Sequence, residues 1–130
     1  MITLALGSSK LHYYYSMDEA TENIPLNAFF VIEGVKFYPL VKVVINIGRR
    51  LENDLVIDDP RVSRNHAQLR AIEGHYVLFD LGSTGGTFVN GSRTSETIIY
   101  PKDVISLGGV TLTFHQDDPP PRSDLIDTIR

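Results

Sequence analysis

Short apolar runs separated by turn-forming residues recur along most of this 130-residue chain. The runs are rich in Val, Ile, Leu and Phe, and Gly, Pro, Asn and Asp interrupt them about every eight to twelve residues. No stretch repeats its apolar residues with the period of an amphipathic helix. This pattern predicts an all-β protein, specifically a two-sheet β-sandwich whose strands are mostly antiparallel.

Individual strands can be placed from the apolar runs. Pro39 cannot donate to a sheet, so we expect it at an edge or an irregularity. His66 is expected to begin a strand, with its side chain on the polar face that points away from the core. Asn90-Gly91 is the strongest hairpin-turn dipeptide in the chain. The expected strands cover about residues 28–32, 37, 41–47, 55–57, 66–71, 76–79, 87–89, 98–99, 104–107 and 110–114.

The chain divides into three parts on these patterns. Residues 27–116 form the predicted sandwich domain, residues 1–26 an N-terminal arm, and residues 117–130 a Pro-rich C-terminal tail or linker. Two interpretations of the arm stay open. It is either a segment that binds a partner or another part of the protein, or an extra strand or remnant without a binding role.

Composition restricts the classes of function. The net charge of −4 argues against general binding of nucleic acid or anionic membranes, because both need a basic surface. The chain has no cysteine, so it has neither disulfides nor a thiolate nucleophile. The first residues do not indicate a signal peptide, and no apolar run approaches the length of a membrane span. We therefore expect a cytoplasmic protein that does not associate with membranes.

Three polar clusters carry the candidate functional groups, and each lies between apolar runs. Arg49 and Arg64 supply guanidinium groups, and Ser63 and Thr84 supply hydroxyls. The glycines at 82, 85 and 86 let backbone N–H groups approach a ligand closely. No cluster contains paired carboxylates, an activated thiol or a metal-binding set. The clusters therefore predict a site that binds an anion.

The order and spacing of these clusters resemble the forkhead-associated (FHA) domain, a module that recognises phosphothreonine peptides. The family pattern is a Gly-Arg pair, then Ser-x-x-His, then Asn-Gly, and it matches Gly48-Arg49, Ser63 with His66, and Gly85-Gly86. The resemblance covers roughly residues 27–115 and implies the SMAD/FHA type of sandwich. One position departs from the pattern. Gly85 replaces the Asn that, in the family, hydrogen-bonds the backbone of the bound peptide.

The resemblance implies that Arg49 and Ser63 hold the phosphate. A phosphate monoester carries about −1.5 to −2 charges at neutral pH and offers three acceptor oxygens, which suit the forked donors of Arg49. The alternative for Arg49 is a surface ion pair with Asp54 or Asp58. Ser63 is expected to donate its hydroxyl to another phosphate oxygen, and its alternative role is that of a turn or capping serine.

Five further residues take roles from the same resemblance. Arg64 is expected to contact the phosphate or the adjacent peptide, and Thr84 to supply a hydroxyl or backbone N–H from the opposite loop. His66 is expected to support the loops by hydrogen bonding and to take no part in catalysis. Gly48 and Gly86 are expected to allow positive φ angles or a close approach of backbone segments.

Two residues are expected to influence which peptide binds. Arg61 occupies the position that, in the family, often contacts the residue three places after the phosphothreonine. An arginine there is expected to favour an acidic residue by charge complementarity. Gly85, in place of the family Asn, is expected to reduce affinity or selectivity for the peptide.

A regulatory hypothesis concerns Thr21, which lies in an acidic context that some kinases accept. Related bacterial domains are switched by their own phosphorylated N-terminal tail. By that resemblance, phosphorylated Thr21 would occupy the Arg49 pocket of the same chain or of a neighbouring one, a self-interaction that excludes other partners. The alternative is an acidic cluster that only keeps the arm soluble.

An enzyme is the first rival interpretation, and the motifs do not favour it. Residues 81–85 lack the glycine spacing of a nucleophile elbow, and residues 82–87 lack the lysine of a P-loop. The four histidines are scattered and show no metal-binding spacing. We expect a phosphothreonine-dependent adaptor that acts downstream of a Ser/Thr kinase without a cofactor. The remaining alternative is a scaffold of this fold that binds partners without phosphate, a role that Gly85 favours.

Overall fold

The computed structural model describes residues 24–116, and eleven β-strands make up its regular secondary structure. Each strand coincides with an apolar run or with one arm of a hairpin. The strands are β1 Ala28–Ile32, β2 Lys36–Pro39, β3 Val44–Gly48, β4 Leu55–Val56, β5 Ala67–Ile72, β6 His75–Asp80, β7 Thr87–Val89, β8 Ser92–Arg93, β9 Glu96–Ile99, β10 Val104–Leu107 and β11 Val110–Gln116.

The strands form two sheets. One has the order β2-β1-β11-β10-β7-β8 and the other the order β4-β3-β5-β6-β9. The pairing of β3 with β4 is parallel, and the other ladders are antiparallel. The predicted class, a mostly antiparallel two-sheet sandwich, is therefore confirmed. Pro39 ends β2, which lies at the edge of its sheet.

The core lies between the two sheets and is almost entirely apolar. Phe30 and Phe114 from one sheet face Tyr76 from the other, and the ring centroids of Tyr76 and Phe114 are 6.4 Å apart. The Tyr76 hydroxyl donates a 3.0 Å hydrogen bond to the carbonyl of Lys42. Burial raises the pKa of Tyr76, so this hydroxyl stays a neutral donor.

Two hairpin turns follow directly from local sequence. Asn90 and Gly91 both have positive φ angles, 51° and 86°, which is the backbone that a type I′ turn between antiparallel strands needs. Gly108 and Gly109 have φ angles of 62° and 107° between β10 and β11. The first turn lies where the sequence predicted it, and the second lies between the strands that were expected at residues 104–107 and 110–114.

One expected strand begins later than predicted. Residues 41–43 lie outside the ladder, β3 begins at Val44, and the side chain of Val41 is 72% exposed. The chain crosses from the first sheet to the second between β2 and β3, so these residues cannot pair regularly with either sheet. The exposed Val41 belongs to this crossover and not to a strand.

The predicted orientation of His66 is wrong. The residue precedes β5, and its side chain is fully buried rather than placed on the outer face. Alternation of side chains applies only within an extended strand, and the backbone turns before Ala67. The imidazole therefore points inward between two loops.

The arm and the tail lie almost entirely outside the described residues. This applies to Thr21 and to residues 117–130, so the predictions made for them, including the division at residues 26 and 116, stay predictions. Within the described range, the structure has no helix with the length and apolar character needed to cross a membrane.

Candidate functional site

Four connections meet at one end of the sandwich and enclose a shallow cavity. They are residues 49–54, 57–66 and 81–86, and the 108–109 turn. The cavity has a volume of about 420 Å³. Its lining residues are Arg49, Pro60, Arg61, Val62, Ser63, Thr84, Gly85 and Gly108. Residues from all three predicted polar clusters thus come together.

The guanidinium of Arg49 is held in place by the backbone of the neighbouring loop. Its Nε–H donates a 3.0 Å hydrogen bond to the carbonyl of Val62, and its backbone N–H donates to the carbonyl of Ser63 at 3.0 Å. The ion pair considered with Asp54 is not formed, because that carboxylate binds Lys42 at 2.5 Å. In the described part of the chain, Arg49 has no carboxylate within 4.0 Å. Its terminal N–H groups can therefore bind an anion in the cavity.

Ser63 and Thr84 connect the two loops across the cavity. The backbone N–H of Thr84 donates a 3.0 Å hydrogen bond to Oγ of Ser63. Among residues 24–116 the Ser63 hydroxyl donates no hydrogen bond, so its proton can bind an acceptor in the cavity. Since the N–H of Thr84 is already used, the Thr84 side chain is the part of this residue left to contact a ligand.

His66 links the same two loops from their buried side. Its Nδ1 accepts a 3.0 Å hydrogen bond from the backbone N–H of Ser63, and its Nε2 lies 3.0 Å from the carbonyl of Gly86. These partners require a neutral ring with the proton on Nε2. Burial lowers the pKa of His66, against the opposing effects of the Gly86 carbonyl and Asp80. The ring is therefore neutral at physiological pH.

Asp80 organises the 81–86 loop, although it was not among the site residues predicted from the sequence. Its carboxylate accepts hydrogen bonds from the hydroxyls of Ser83 (2.6 Å) and Thr87 (2.7 Å) and from the N–H groups of Gly82 (3.0 Å) and Ser83 (3.1 Å). Burial raises the pKa of Asp80, but these hydrogen bonds outweigh it and the pKa is lowered overall. The signal was present as Asp80-Leu81-Gly82-Ser83, a spacing typical of an Asx turn.

Gly48 lies where two loops pass each other. A β-carbon at this position would be 2.2 Å from the carbonyl oxygen of Arg64, which no side chain can occupy. The Asn53 side chain donates to the same carbonyl at 2.8 Å and to that of Arg50 at 3.0 Å. Close backbone approach, and not a positive φ angle, is the requirement here.

Gly85 and Gly86 have different reasons to be glycine. Gly86 has a φ angle of 85°, a conformation that side chains disfavour. A β-carbon on Gly85 would lie 2.9 Å from Cα of Gly108, so the 81–86 loop packs directly on the β10–β11 turn. An asparagine at position 85 would require these two segments to move apart.

Arg61 lines the cavity, but its charge is already compensated. Its guanidinium forms a two-pronged interaction with Asp59, with Nε–Oδ1 at 3.0 Å and Nη2–Oδ2 at 2.9 Å. Hydrogen bonds from the side chain and backbone of Arg61 lower the pKa of Asp59 to about 2. The pair therefore persists across physiological pH. Electrostatic attraction of Arg61 for an acidic peptide residue is weakened accordingly.

Arg64 does not line the cavity. Its side chain is exposed, and no hydrogen bond of its guanidinium to residues 24–116 is seen. Its carbonyl accepts the N–H of Arg50 at 3.2 Å and thereby joins the first two loops. Among the predicted phosphate-binding residues, the structure thus gathers Arg49, Ser63 and Thr84 and leaves Arg64 at the periphery.

The chain is also similar in sequence to known proteins. Residues 45–108 match the family model of the FHA domain. An oxoglutarate dehydrogenase inhibitor from Corynebacterium efficiens is 39% identical over 99 residues, which cover 72% of this chain and 69% of the relative. The chain belongs to the FHA family. The resemblance found in its motifs is thus confirmed by the match to the family model.

Solved FHA structures share the fold. Mycobacterium tuberculosis EmbR in complex with a low-affinity phosphopeptide has a TM-score of 0.64 and 32% identity, over 68% of this chain and 24% of EmbR. The FHA domain of FhaA, complexed with the intracellular domain of Rv3910, has a TM-score of 0.64 and 29% identity, over 68% of this chain and 99% of that domain. These FHA proteins were therefore solved with a phosphopeptide and with a protein partner, respectively.

Proposed function

We propose that this protein recognises phosphothreonine in a partner peptide or protein and acts as an adaptor, without a cofactor and without catalysing a reaction. The observation that carries the proposal is the pairing of Arg49 and Ser63 on one cavity wall. Within residues 24–116, Arg49 has an anchored guanidinium with no carboxylate counter-ion, and the Ser63 hydroxyl donates no hydrogen bond. Such a cavity is complementary to a compact anion with several acceptor oxygens.

A phosphate monoester fits this cavity on charge and on hydrogen bonding. Arg49 lines the cavity, and with Nε bound to Val62 its terminal N–H groups remain to bind two phosphate oxygens. Hydrogen bonds that involve a charged group contribute about 1.5–3 kcal/mol net. Ser63 would bind a third oxygen, and the Thr84 side chain would contact the phosphate from the opposite loop.

The choice of threonine as the phosphorylated residue comes from the family and not from the cavity alone. A similar solved structure is described by its phosphothreonine-dependent FHA domain interactions, while EmbR was solved with a phosphopeptide and the FHA domain of FhaA with a protein domain. By the same family relationship, we infer a regulatory role downstream of Ser/Thr kinases in the cytoplasm.

The other predicted site residues would act around the phosphate. The loops would be held by His66, Gly48 and Gly86, and peptide selectivity would be influenced by Arg61 and Gly85. Arg64 would contribute only its charge, from outside the cavity.

A phosphate-independent scaffold is the second candidate function, and Gly85 is the observation that favours it. This position has no side chain to bind the backbone of a peptide. A β-carbon added there would lie only 2.9 Å from Cα of Gly108, so the loop is packed closely against this turn. Affinity for a peptide would then rest on the phosphate alone. If that affinity is too low, partners would have to bind another surface.

A binding experiment separates the two functions. A library of phosphothreonine peptides is titrated beside the same peptides without phosphate, against wild type, Arg49→Ala and the control Arg50→Ala. Arg50 is the adjacent exposed arginine, 3.8 Å from Glu52 and outside the cavity. We expect wild type to bind only phosphorylated peptides and Arg49→Ala to lose about tenfold or more in affinity. Equal binding of both libraries by wild type would favour the scaffold.

A further inference from the structure

Arg93 forms part of the surface beside the candidate site, although no motif pointed to it. It lies on β8, directly opposite Phe88 on β7. Its guanidinium carbon lies over the Phe88 ring, 5.8 Å from the centroid, and the residue is exposed. Stacking of this kind holds a guanidinium in a defined position while its edges remain free to donate hydrogen bonds.

The same guanidinium covers the end of the 81–86 loop. An ideal β-carbon on Gly86 would lie 3.1 Å from Cζ and 3.2 Å from Nε of Arg93. Gly86 directly follows Gly85, which lines the cavity. Arg93 is therefore next to the rim of the cavity, on the side of this loop where β8 lies.

The charge of Arg93 is not compensated within the structure. The ion pairs found among residues 24–116 are Lys42–Asp54, Arg50–Glu52 and Arg61–Asp59. Arg61 and Arg93 thus differ in whether a carboxylate compensates their charge, although both lie near Gly85 or Gly86. The carboxylate of Asp59 already binds the guanidinium of Arg61, whereas that of Arg93 has no carboxylate within 4.0 Å in the described part of the chain.

We propose that Arg93 is a specificity-determining residue that pairs with an acidic side chain flanking the phosphothreonine. The inference rests on the proposed function, since it concerns a peptide whose phosphate occupies the Arg49 cavity. A positioned cation with no internal partner attracts a carboxylate, and its stacking on Phe88 reduces the entropy that pairing would cost. Arg93, and not Arg61, would then give the site its acidic preference.

The test uses the intact chain and a set of phosphothreonine peptides in which each flanking position in turn is Ala or Asp. Dissociation constants are measured for wild type, Arg93→Gln and the control Arg70→Gln. Arg70 is matched in chemistry, because it is exposed and lies over the Phe79 ring at 5.6 Å, but it is on β5 of the other sheet. We expect wild type and Arg70→Gln to prefer Asp at one flanking position by about two- to fivefold. Arg93→Gln should lose this preference and bind the all-Ala phosphopeptide as wild type does.

Other outcomes overturn the inference in distinguishable ways. An unchanged preference for Asp in Arg93→Gln removes Arg93 as its source. An equal loss for every phosphopeptide shows that Arg93 only supports the loop. If Arg93→Gln fails to fold, Arg93→Lys takes its place; this variant keeps the charge and must keep the preference for Asp. In wild type, high salt must abolish the preference for Asp. If wild type does not distinguish phosphorylated from unphosphorylated peptides, the proposed function itself fails.

Discussion

The backbone N–H of Ser63 donates a hydrogen bond to Nδ1 of His66 at 3.0 Å, so the loop that carries the candidate phosphate-binding hydroxyl is anchored on a buried imidazole. This arrangement works only while Nδ1 has no proton. A protonated ring would place one N–H against another, and the serine loop would lose its internal support.

We therefore expect stability to fall on mild acidification. Burial lowers the pKa of His66 in the folded state, so the unfolded chain binds a proton more readily. The contribution of His66 to stability is complete above its unfolded pKa of about 6.5 and is lost as pH falls through the lower folded pKa. The slope from one such group is at most about 1.4 kcal/mol per pH unit.

Urea unfolding between about pH 7.5 and pH 5.5 measures this slope. His66→Gln is the matched variant, because it removes the titrating group while His12, His75 and His115 remain. The pH dependence of its unfolding free energy should be smaller than that of wild type over this range. An identical slope in both proteins would assign the effect to another group.

Asp80→Ala should destabilise the protein by about 3 kcal/mol, although the residue is absent from the family motifs matched here. The substitution removes the acceptor of four hydrogen bonds in the 80–87 segment and leaves the hydroxyl of Thr87, a residue that is fully buried, without this partner. The midpoint of chemical unfolding is the measurement. Asp58→Ala is the control, since Asp58 is exposed and makes no side-chain hydrogen bond within residues 24–116, and its midpoint should change little. Equal effects of the two substitutions would contradict the role of Asp80.

Gly48→Ala should weaken phosphopeptide binding as well as stability. The added methyl group would lie 2.2 Å from the carbonyl oxygen of Arg64, so the loop that carries Ser63 must move. Gly34→Ala is the control, because its φ angle of 75° makes alanine costly by about 1–2 kcal/mol while no atom lies within 4 Å of the new methyl. We expect both variants to lose stability but only Gly48→Ala to lose affinity in peptide titrations. Loss of affinity in Gly34→Ala would mean that reduced stability alone explains both results.

Asp59→Asn should change peptide selectivity and not phosphate binding. The substitution removes the charge that now compensates Arg61. In wild type, Nε and Nη2 of Arg61 donate to the Asp59 carboxylate at 3.0 and 2.9 Å. Because the pKa of Asp59 is about 2, this compensation operates throughout the neutral range. A phosphopeptide array should then show about two- to fivefold more preference for an acidic residue at the position that Arg61 contacts. No change in that preference would show that the Arg61 side chain does not reach the peptide.

Several features of the fold could be predicted because they depend on short stretches of chain. The turn at Asn90-Gly91 needs two residues that tolerate positive φ angles, and these two residues supply them. Pro39 cannot donate to a ladder, and it lies on the edge strand β2. The strand pattern and the class of fold follow from similar local rules.

Other features were missed because they depend on how loops and strands pack against one another, which the apolar pattern does not specify. Val41 is apolar yet exposed, since the chain crosses between sheets there. His66 follows the alternation of β5 in the sequence, but its hydrogen bonds to Ser63 and Gly86 draw it into the interior. Arg93 acquires its place beside Gly86 only when β8 pairs with β7.

The amino-acid sequence by itself determined that this chain is an all-β FHA protein whose polar loops carry Arg49, Ser63 and Thr84. Turn propensity, strand alternation and motif order act over a few neighbouring residues and can be recognised without coordinates. Only the tertiary structure decided which charges are available, because a guanidinium is free or compensated according to the carboxylates that folding brings within hydrogen-bonding distance. That is why Arg64 lies outside the cavity and Arg49 remains open to an anion in the described part of the chain, whereas Arg61 is compensated by Asp59, only two residues away in the sequence.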